Sequence, residues 1–442
     1  MLQGIAFDTG DTAWVLVSAA LVLLMTPGLA FFYGGMVRAK SVINMMLMSM
    51  ISITVVSVLW VLFGYRLAFG DSGSQWIGEI SFADATSLMN TFTNNGGIYR
   101  VPELAFSVFQ LMFAIITVAL LSGAIADRTK FSSWTVFAGA WAVFVYFPVA
   151  HWVFDFGTVT DGQTSGAGFL ASHGLLDFAG GTAVEINAGI AGLALAYVLG
   201  PRVGFKREPM RPHSLPLVMI GVGLLWFGWF GFNAGSTLGA NGLAALTLVN
   251  TQMAGAAAVG GWLAVERWRD GHATGLGAAS GAVAGLVAIT PSCAFISPHG
   301  ALVVGAVAGA LSSFAVGLKY KFNYDDSLDL VGVHFVGGLW GTLAIGLFGT
   351  VSANALGADG LFYGGGFGQL GKQAFGALFV LAYSLVMTTL IAKTVDRFMG
   401  FRITRDAEIE GIDFVEHAET AYELDTRTSA GSYAGNRLGQ EG

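Results

Sequence analysis

The sequence predicts an all-α polytopic membrane protein with eleven transmembrane helices, arranged as two inverted five-helix repeats plus a final helix. Three observations carry this expectation. Of 442 residues, 54% are hydrophobic and only 11% charged, and the mean hydropathy is +0.67, the balance of a chain that lives mostly in lipid. Eleven apolar runs begin near Thr12, Ser41, Val101, Phe131, Ser172, Ser214, Asn241, Thr274, His299, Leu330 and Lys372, with short polar breaks between them. Of the 21 basic residues, all but Arg66, Arg100 and Lys372 fall on alternate breaks and on the tail. Basic loops stay inside, so that side is cytoplasmic, with the N-terminus outside and the tail inside.

Taken in order, Asp8 to Thr12 is a polar entry to span one, which contains Pro27 and ends in Phe31-Phe32-Tyr33-Gly34-Gly35. A proline inside a span implies a kink packed by neighbours. No basic stretch precedes this run, so it reads as a retained span. The break from Arg66 to Arg100, with Trp76, Asn94, Asn95 and Gly97, is the longest external one. It either caps the outer mouth or is a plain surface loop. Span three places Phe109 and Phe113 at i and i+4 on one helix face, where packing is the ordinary role. Span four ends in Tyr146, Trp152 and Phe154, which fit an aromatic belt at the outer interface.

Glycine occurs 63 times, often inside spans, as at Gly180-Gly181, Gly189, Gly192 and Gly337-Gly338. Small residues let helices approach closely. The single cysteine, Cys293, allows no intrachain disulfide and reads as a buried thiol. No metal or redox motif is present, so no metal, cofactor or nucleic acid is expected.

The stretch Ser172 to Gly200, SHGLLDFAGGTAVEINAGIAGLALAYVLG, carries Asp177 and Glu185 without a basic residue. A charge at mid-bilayer costs about 2.5–3.5 kcal/mol, so such an acid normally faces a cavity, a partner or an ion path. Read as one helix, the segment offers carboxylates at two depths, roughly 12 Å apart. The alternative is that Asp177 simply caps the start of the span.

Span six, with LLWFGWFGFNAGS, concentrates Trp226, Trp229, Phe230, Phe232 and Ser236. Span ten carries His334 in GVHFVGG. A weak repeat links spans five and ten: Val184-Glu185 followed by Gly189 and Gly192 resembles Val333-His334 followed by Gly338 and Gly341. The copies are five spans apart, an odd number, so they are inverted across the membrane. Inverted repeats place functional groups near the midplane, where Glu185 and His334 are expected to meet.

Together these residues resemble the ammonium transporter family (Amt/Mep/Rh), most closely its Amt branch, over nearly the whole chain. The specific stretches are FFYGGMVRAK, LDFAGGTAVEINAGIAGL, GWFGFNAGS, GVHFVGG and EGIDFVEHAETAY. The resemblance implies a plasma-membrane homotrimer with one pore per subunit, and an external ammonium site above a phenylalanine gate. Carried over residue by residue, the external site uses Phe113, Phe154 and Ser236, with Asp177 supporting it from below. Phe113 and Phe232 form the gate, with Phe109 beside it and Trp229 lining the pore beneath. Glu185 and His334 form the proton relay.

Two departures matter. Phe154 stands where relatives usually have tryptophan, the stronger cation–π partner, unless Trp152 substitutes. Glu185 stands where most relatives have the first histidine of a twin-histidine pair, although certain fungal members also have an acid there. A carboxyl and an imidazole then titrate as a coupled pair.

Residues 1–400 are expected to form the transmembrane domain and 401–442 a cytoplasmic tail. The first part of the tail resembles the family's ordered regulatory tail through Glu410-Gly411-Ile412-Asp413 and His417-Ala418-Glu419; residues 426–442 read as disordered. In the family a PII signal protein can plug the inner mouths, and here the basic loop from Arg202 to Arg211 frames that surface. The leading expectation is a channel-like transporter that recruits NH4+, deprotonates it and passes NH3. The competing one is an ammonium sensor that signals through a separate partner. An intramembrane acid-dependent protease fits poorly, because no second aspartate lies at the depth of Asp177.

Overall fold

In lipid each backbone must satisfy its own N–H and C=O groups, so every long apolar run folds as a helix. The computed structural model describes residues 7–71, 74–82, 84–93, 99–160 and 163–422. Asn94, Asn95, Gly97 and residues 426–442 lie outside the described residues. Among the described residues ten helices are long and apolar enough to cross a membrane: Thr9–Met36, Ala39–Phe69, Glu103–Ile125, Phe131–Phe154, Gly181–Leu199, Leu215–Gly235, Gly242–Asp270, Pro298–Phe322, Val331–Phe348 and Gly368–Met399. The shorter Gly275–Ile289 takes the eighth place in an eleven-helix order. Several starts carry side-chain caps; Asp8, Ser214, Asn241, Thr274 and Ser297 each accept an amide of the first turn. A short antiparallel pair, Thr158–Thr160 with Gln163–Ser165, lies in the linker after span four.

Small residues set the helix contacts. A methyl group on Gly221 would lie 2.3 Å from the Phe32 amide, and one on Gly35 would lie 2.7 Å from the Ser214 carbonyl, so spans one and six pack backbone to backbone. Gly305 and Gly309 likewise sit on the Ala254 and Ala258 carbonyls of span seven.

Spans five and ten share an irregular start. Gly181–Ile186 and Val331–Phe335 are π turns, and each leads into a regular helix of 13 residues. The extra residue in a π turn shifts the side chains that follow and recurs at functional sites. The two segments cross through reciprocal glycines: a Cβ on Gly189 would stand 2.4 Å from the Phe335 amide, and one on Gly338 would stand 2.6 Å from Glu185 Cβ. Each glycine lies four residues after the polar group of its own copy and meets the start of the other, as two inverted copies require.

Span five begins at Gly181, not near Ser172. Phe169–Ser172 is a separate short helix, and Gly180, at φ 121°, turns the chain sharply before the span. Asp177 and Glu185 therefore do not share a helix. The aromatic belt at the end of span four is also corrected: Tyr146 and Trp152 are buried. The Trp152 indole donates to the Trp76 carbonyl at 2.8 Å, and Trp76 stacks on Phe169 with centroids 4.4 Å apart. The stretch around Trp76 thus folds down over the end of span four.

Candidate functional site

Two cavities follow one another through the helix bundle. The outer one is bordered by Tyr65, Phe69, Thr93, Tyr99, Phe106, Gln110, Phe113, Phe154, Asp155, Phe156, Phe178, Ser236 and Leu238. The inner one is bordered by Met25, Leu29, Phe32, Ile116, Leu120, Val184, Glu185, Leu225, Trp229, Phe232, Val283 and His334. Phe113 belongs to the first and Phe232 to the second; their rings stack with centroids 4.0 Å apart and planes at 23°. The stacked pair is the partition.

Of the expected external residues, Phe113, Phe154 and Ser236 border the outer cavity. The Ser236 hydroxyl donates to the Phe232 carbonyl at 2.8 Å, which leaves its lone pairs to accept. Trp152 does not border this cavity and so does not stand in for a tryptophan at 154. Phe109 borders neither cavity; fully buried, it props Phe113 edge-on at 4.9 Å. Below the partition, Trp229 donates its indole N–H to Thr290 at 2.8 Å, so its polar edge is satisfied.

Asp177 borders neither cavity. Its Oδ1 accepts the Gly180 and Gly181 amides at 2.8 and 2.6 Å, and its Oδ2 accepts the Thr182 amide at 2.7 Å, the Ala183 amide at 3.3 Å and the Thr182 hydroxyl. One carboxylate thereby satisfies the free amides at the mouth of span five. A Cβ on Gly180 would stand 3.6 Å from the Phe154 ring, so this capped turn is also part of the support for the outer cavity.

In the inner cavity Glu185 and His334 are the two ionisable groups among apolar walls. Oε2 of Glu185 lies 2.6 Å from Nδ1 of His334, and both side chains are buried. At that distance the carboxyl and the imidazole share a hydrogen bond.

Asp326 was not singled out in the sequence, yet the signal was there: it precedes His334 by eight residues, as Asp177 precedes Glu185. Its Oδ2 accepts the Val331 amide at 2.7 Å, five residues on, the same offset as Asp177 to Thr182. Unlike Asp177, it keeps Oδ1 buried without a donor, and burial pushes its carboxyl up to about 6. Gln110, Thr93 and Asp155 in the outer cavity carried no pattern that would have marked them.

On the side of the basic loops a buried ion network ties the breaks together. Arg202 bonds both oxygens of Asp325 and reaches Asp127 at 3.1 Å. The tail joins in: Glu408 accepts from Arg402 and from the Val203 amide, and Asp413 accepts the Ile43 and Asn44 amides at 3.0 and 2.8 Å.

The family model described as "Ammonium Transporter Family" matches residues 13–422. The chain is 55% identical to an ammonium transporter of Mycobacterium tuberculosis, over 94% of this chain and 91% of that one, and 43% identical to an ammonium transporter of Bacillus subtilis, over 94% and 98%. Among solved structures, Candida albicans Mep2 superposes with a TM-score of 0.83 at 31% identity, over 95% of this chain and 94% of that one. A structure described as a sensor Amt protein gives 0.82 at 29% identity, over 92% and 98%. With the paired cavities, the stacked partition and the inverted crossing already in hand, this chain belongs to the ammonium transporter family.

Proposed function

We propose that the chain is a channel-like ammonium transporter that recruits NH4+ in the outer cavity, deprotonates it there, and passes NH3 and the proton separately through the inner one. The observation that carries this reading is the Glu185–His334 pair, 2.6 Å apart in an otherwise apolar passage. A bare cation pays heavily to enter such a passage, and neutral ammonia far less. Phe113, Phe154 and Ser236 bind the cation through ring faces and one hydroxyl acceptor. The Phe113–Phe232 stack admits the small neutral molecule, Trp229 shapes the pore below, and Phe109 backs the gate. Asp177 acts through the backbone turn that it fixes. The proton released from NH4+ crosses by way of Glu185 and His334 and rejoins NH3 inside.

In this reading residues 1–400 form the membrane domain of a plasma-membrane homotrimer, with the N-terminus outside and the tail at 401–442 in the cytoplasm. The basic loop from Arg202 to Arg211 and the tail form the inner surface, where a PII-type signal protein is a fitting partner. Similarity to a sensor Amt protein favours a second reading, in which the same site binds ammonium and signals through a partner. Ammonium flux into proteoliposomes, recorded with the accompanying current, separates the two. Sustained flux with current supports transport with proton relay; saturable binding without flux supports sensing.

A further inference from the structure

Asp155 leaves span four directly after Phe154, borders the outer cavity, and is only 3% exposed. Its Oδ1 accepts the Gly157 amide at 2.9 Å, and its Oδ2 stands 3.2 Å from His151 Nδ1. The His151 ring is held at both nitrogens by carbonyl oxygens, Nδ1 by Ala68 and Nε2 by Ser74, each at 3.0 Å. His151, pinned in this way, fixes the Asp155 carboxyl beside it at the border of the outer cavity. His151 does not border the cavity; the carboxylate-bearing residue does.

Two further acceptors belong to residues bordering the same cavity. Gln110 Oε1 and Thr93 Oγ1 are buried and have no donor among the described residues. An unsatisfied buried acceptor costs about 1–3 kcal/mol, and among the described residues no donor meets these two atoms. An ammonium ion offers four N–H donors and a positive charge, which suits one carboxylate plus neutral oxygens. Water satisfies the neutral acceptors but makes no use of the charge. The need is the greater because the phenyl face of Phe154 attracts a cation less strongly than an indole does.

Resting on the transport reading, we propose that Asp155, with Gln110 and Thr93, forms a cation-holding subsite in the outer cavity that loads ammonium ahead of the Phe113 partition. A carboxylate there raises the local cation concentration and acts on KM, not on the step through the pore. Its effect fades as salt screens it.

The test is methylammonium uptake by proteoliposomes at low and high NaCl. Asp155→Asn keeps an acceptor for the Gly157 amide and removes the charge. It is expected to raise KM roughly fivefold at low salt with Vmax within about twofold of wild type, and to flatten the rise of KM with salt. Asp155→Glu is expected to keep KM within about twofold. A wild-type KM for Asp155→Asn at both salt levels overturns the subsite, as does a loss confined to Vmax. Should the Asn variant not assemble, Gln110→Leu decides: a raised KM supports the subsite and an unchanged one overturns it. Wild-type vesicles without any flux overturn the transport reading instead.

Discussion

Gly338 of span ten lies so close to Glu185 of span five that a single added methyl group would stand 2.6 Å from Glu185 Cβ. The carboxyl–imidazole pair is therefore built on the crossing of the two repeats, and its geometry is inherited from backbone contact. Gly338→Ala forces that crossing apart. Overpacking of this kind costs about 1–3 kcal/mol, so thermal unfolding in detergent should come earlier, and flux should fall because the 2.6 Å contact opens. Wild-type flux from correctly folded Gly338→Ala protein would remove the argument that the crossing sets the relay.

Replacing Glu185 tests the relay itself. Glu185→His is expected to keep transport and move its pH profile, since two imidazoles replace a carboxyl and an imidazole. Glu185→Leu strands His334 without a partner in a low-dielectric site, and is expected to reduce flux or admit K+. Rate, pH response and K+ competition are measured together. If Glu185→Leu matches wild type in all three, the pair is structural.

Asp177 is more than the ordinary helix cap that the sequence offers as the alternative. As an ordinary cap it could be exchanged for Asn, which caps equally well. Here both carboxylate oxygens accept, from three amides at 2.6–2.8 Å, a longer fourth and a hydroxyl. Asparagine sets an NH2 group against those donors. Asp177→Asn is therefore expected to lose about 1–3 kcal/mol of stability as well as most transport. Uptake must be normalised to folded protein; near-normal uptake per folded chain would sink the role of this turn.

The helices were legible because lipid leaves a backbone few options, and the predicted starts at Phe131, Ser214, Asn241 and Thr274 fall within a residue of the observed ones. The start of span five was not, because Leu175, Leu176 and Phe178 are as apolar as a helix while Gly180 turns the chain at φ 121°. Hydropathy reports solvent, not conformation. The Glu185–His334 meeting was readable from the glycine spacing around each. Gln110 and Thr93 were not, since what marks them is an unfilled hydrogen-bond valence among the described residues, and Asp155 is marked only by its place on the border of the outer cavity; both exist only in the folded chain.

Two neighbouring aspartates should respond to pH in opposite senses. Burial pushes Asp326 up to about 6, so its contribution to stability is complete below about pH 4 and is lost as pH rises through 6. Burial also acts on Asp325, but the Arg202 guanidinium overrides it and brings the carboxyl down to about 2. Its contribution is present above about pH 4 and is lost as pH falls through 2. Asp326→Asn is therefore expected to leave the melting temperature unchanged near pH 4 and to raise it near pH 8, while Asp325→Asn lowers it at neutral pH. The same sign for both variants at pH 8 would contradict the assignment.

The tail prediction rests on which amides it caps. Asp413 accepts the Ile43 and Asn44 amides where span two begins its regular helix, and Glu416 accepts the Phe131 amide at 3.0 Å, where span four begins. His417 reaches the Asn44 side chain at 2.9 Å. Residues far apart in sequence are thus held by one short segment, and losing it leaves amides of two spans without acceptors. Gly411 is the turn that allows this, with φ 135° and room for no side chain: a Cβ would stand 3.0 Å from Lys40 Cβ. Gly411→Asp adds strain, bulk and charge at that point. It is expected to impair transport severalfold without preventing assembly of the proposed trimer, as read by size-exclusion chromatography beside vesicle uptake, because the contact lies outside the membrane core. A chain ending at Arg405 should behave alike. Equal flux per folded chain from that shortened chain and from wild type would show that the tail does not act on the pore.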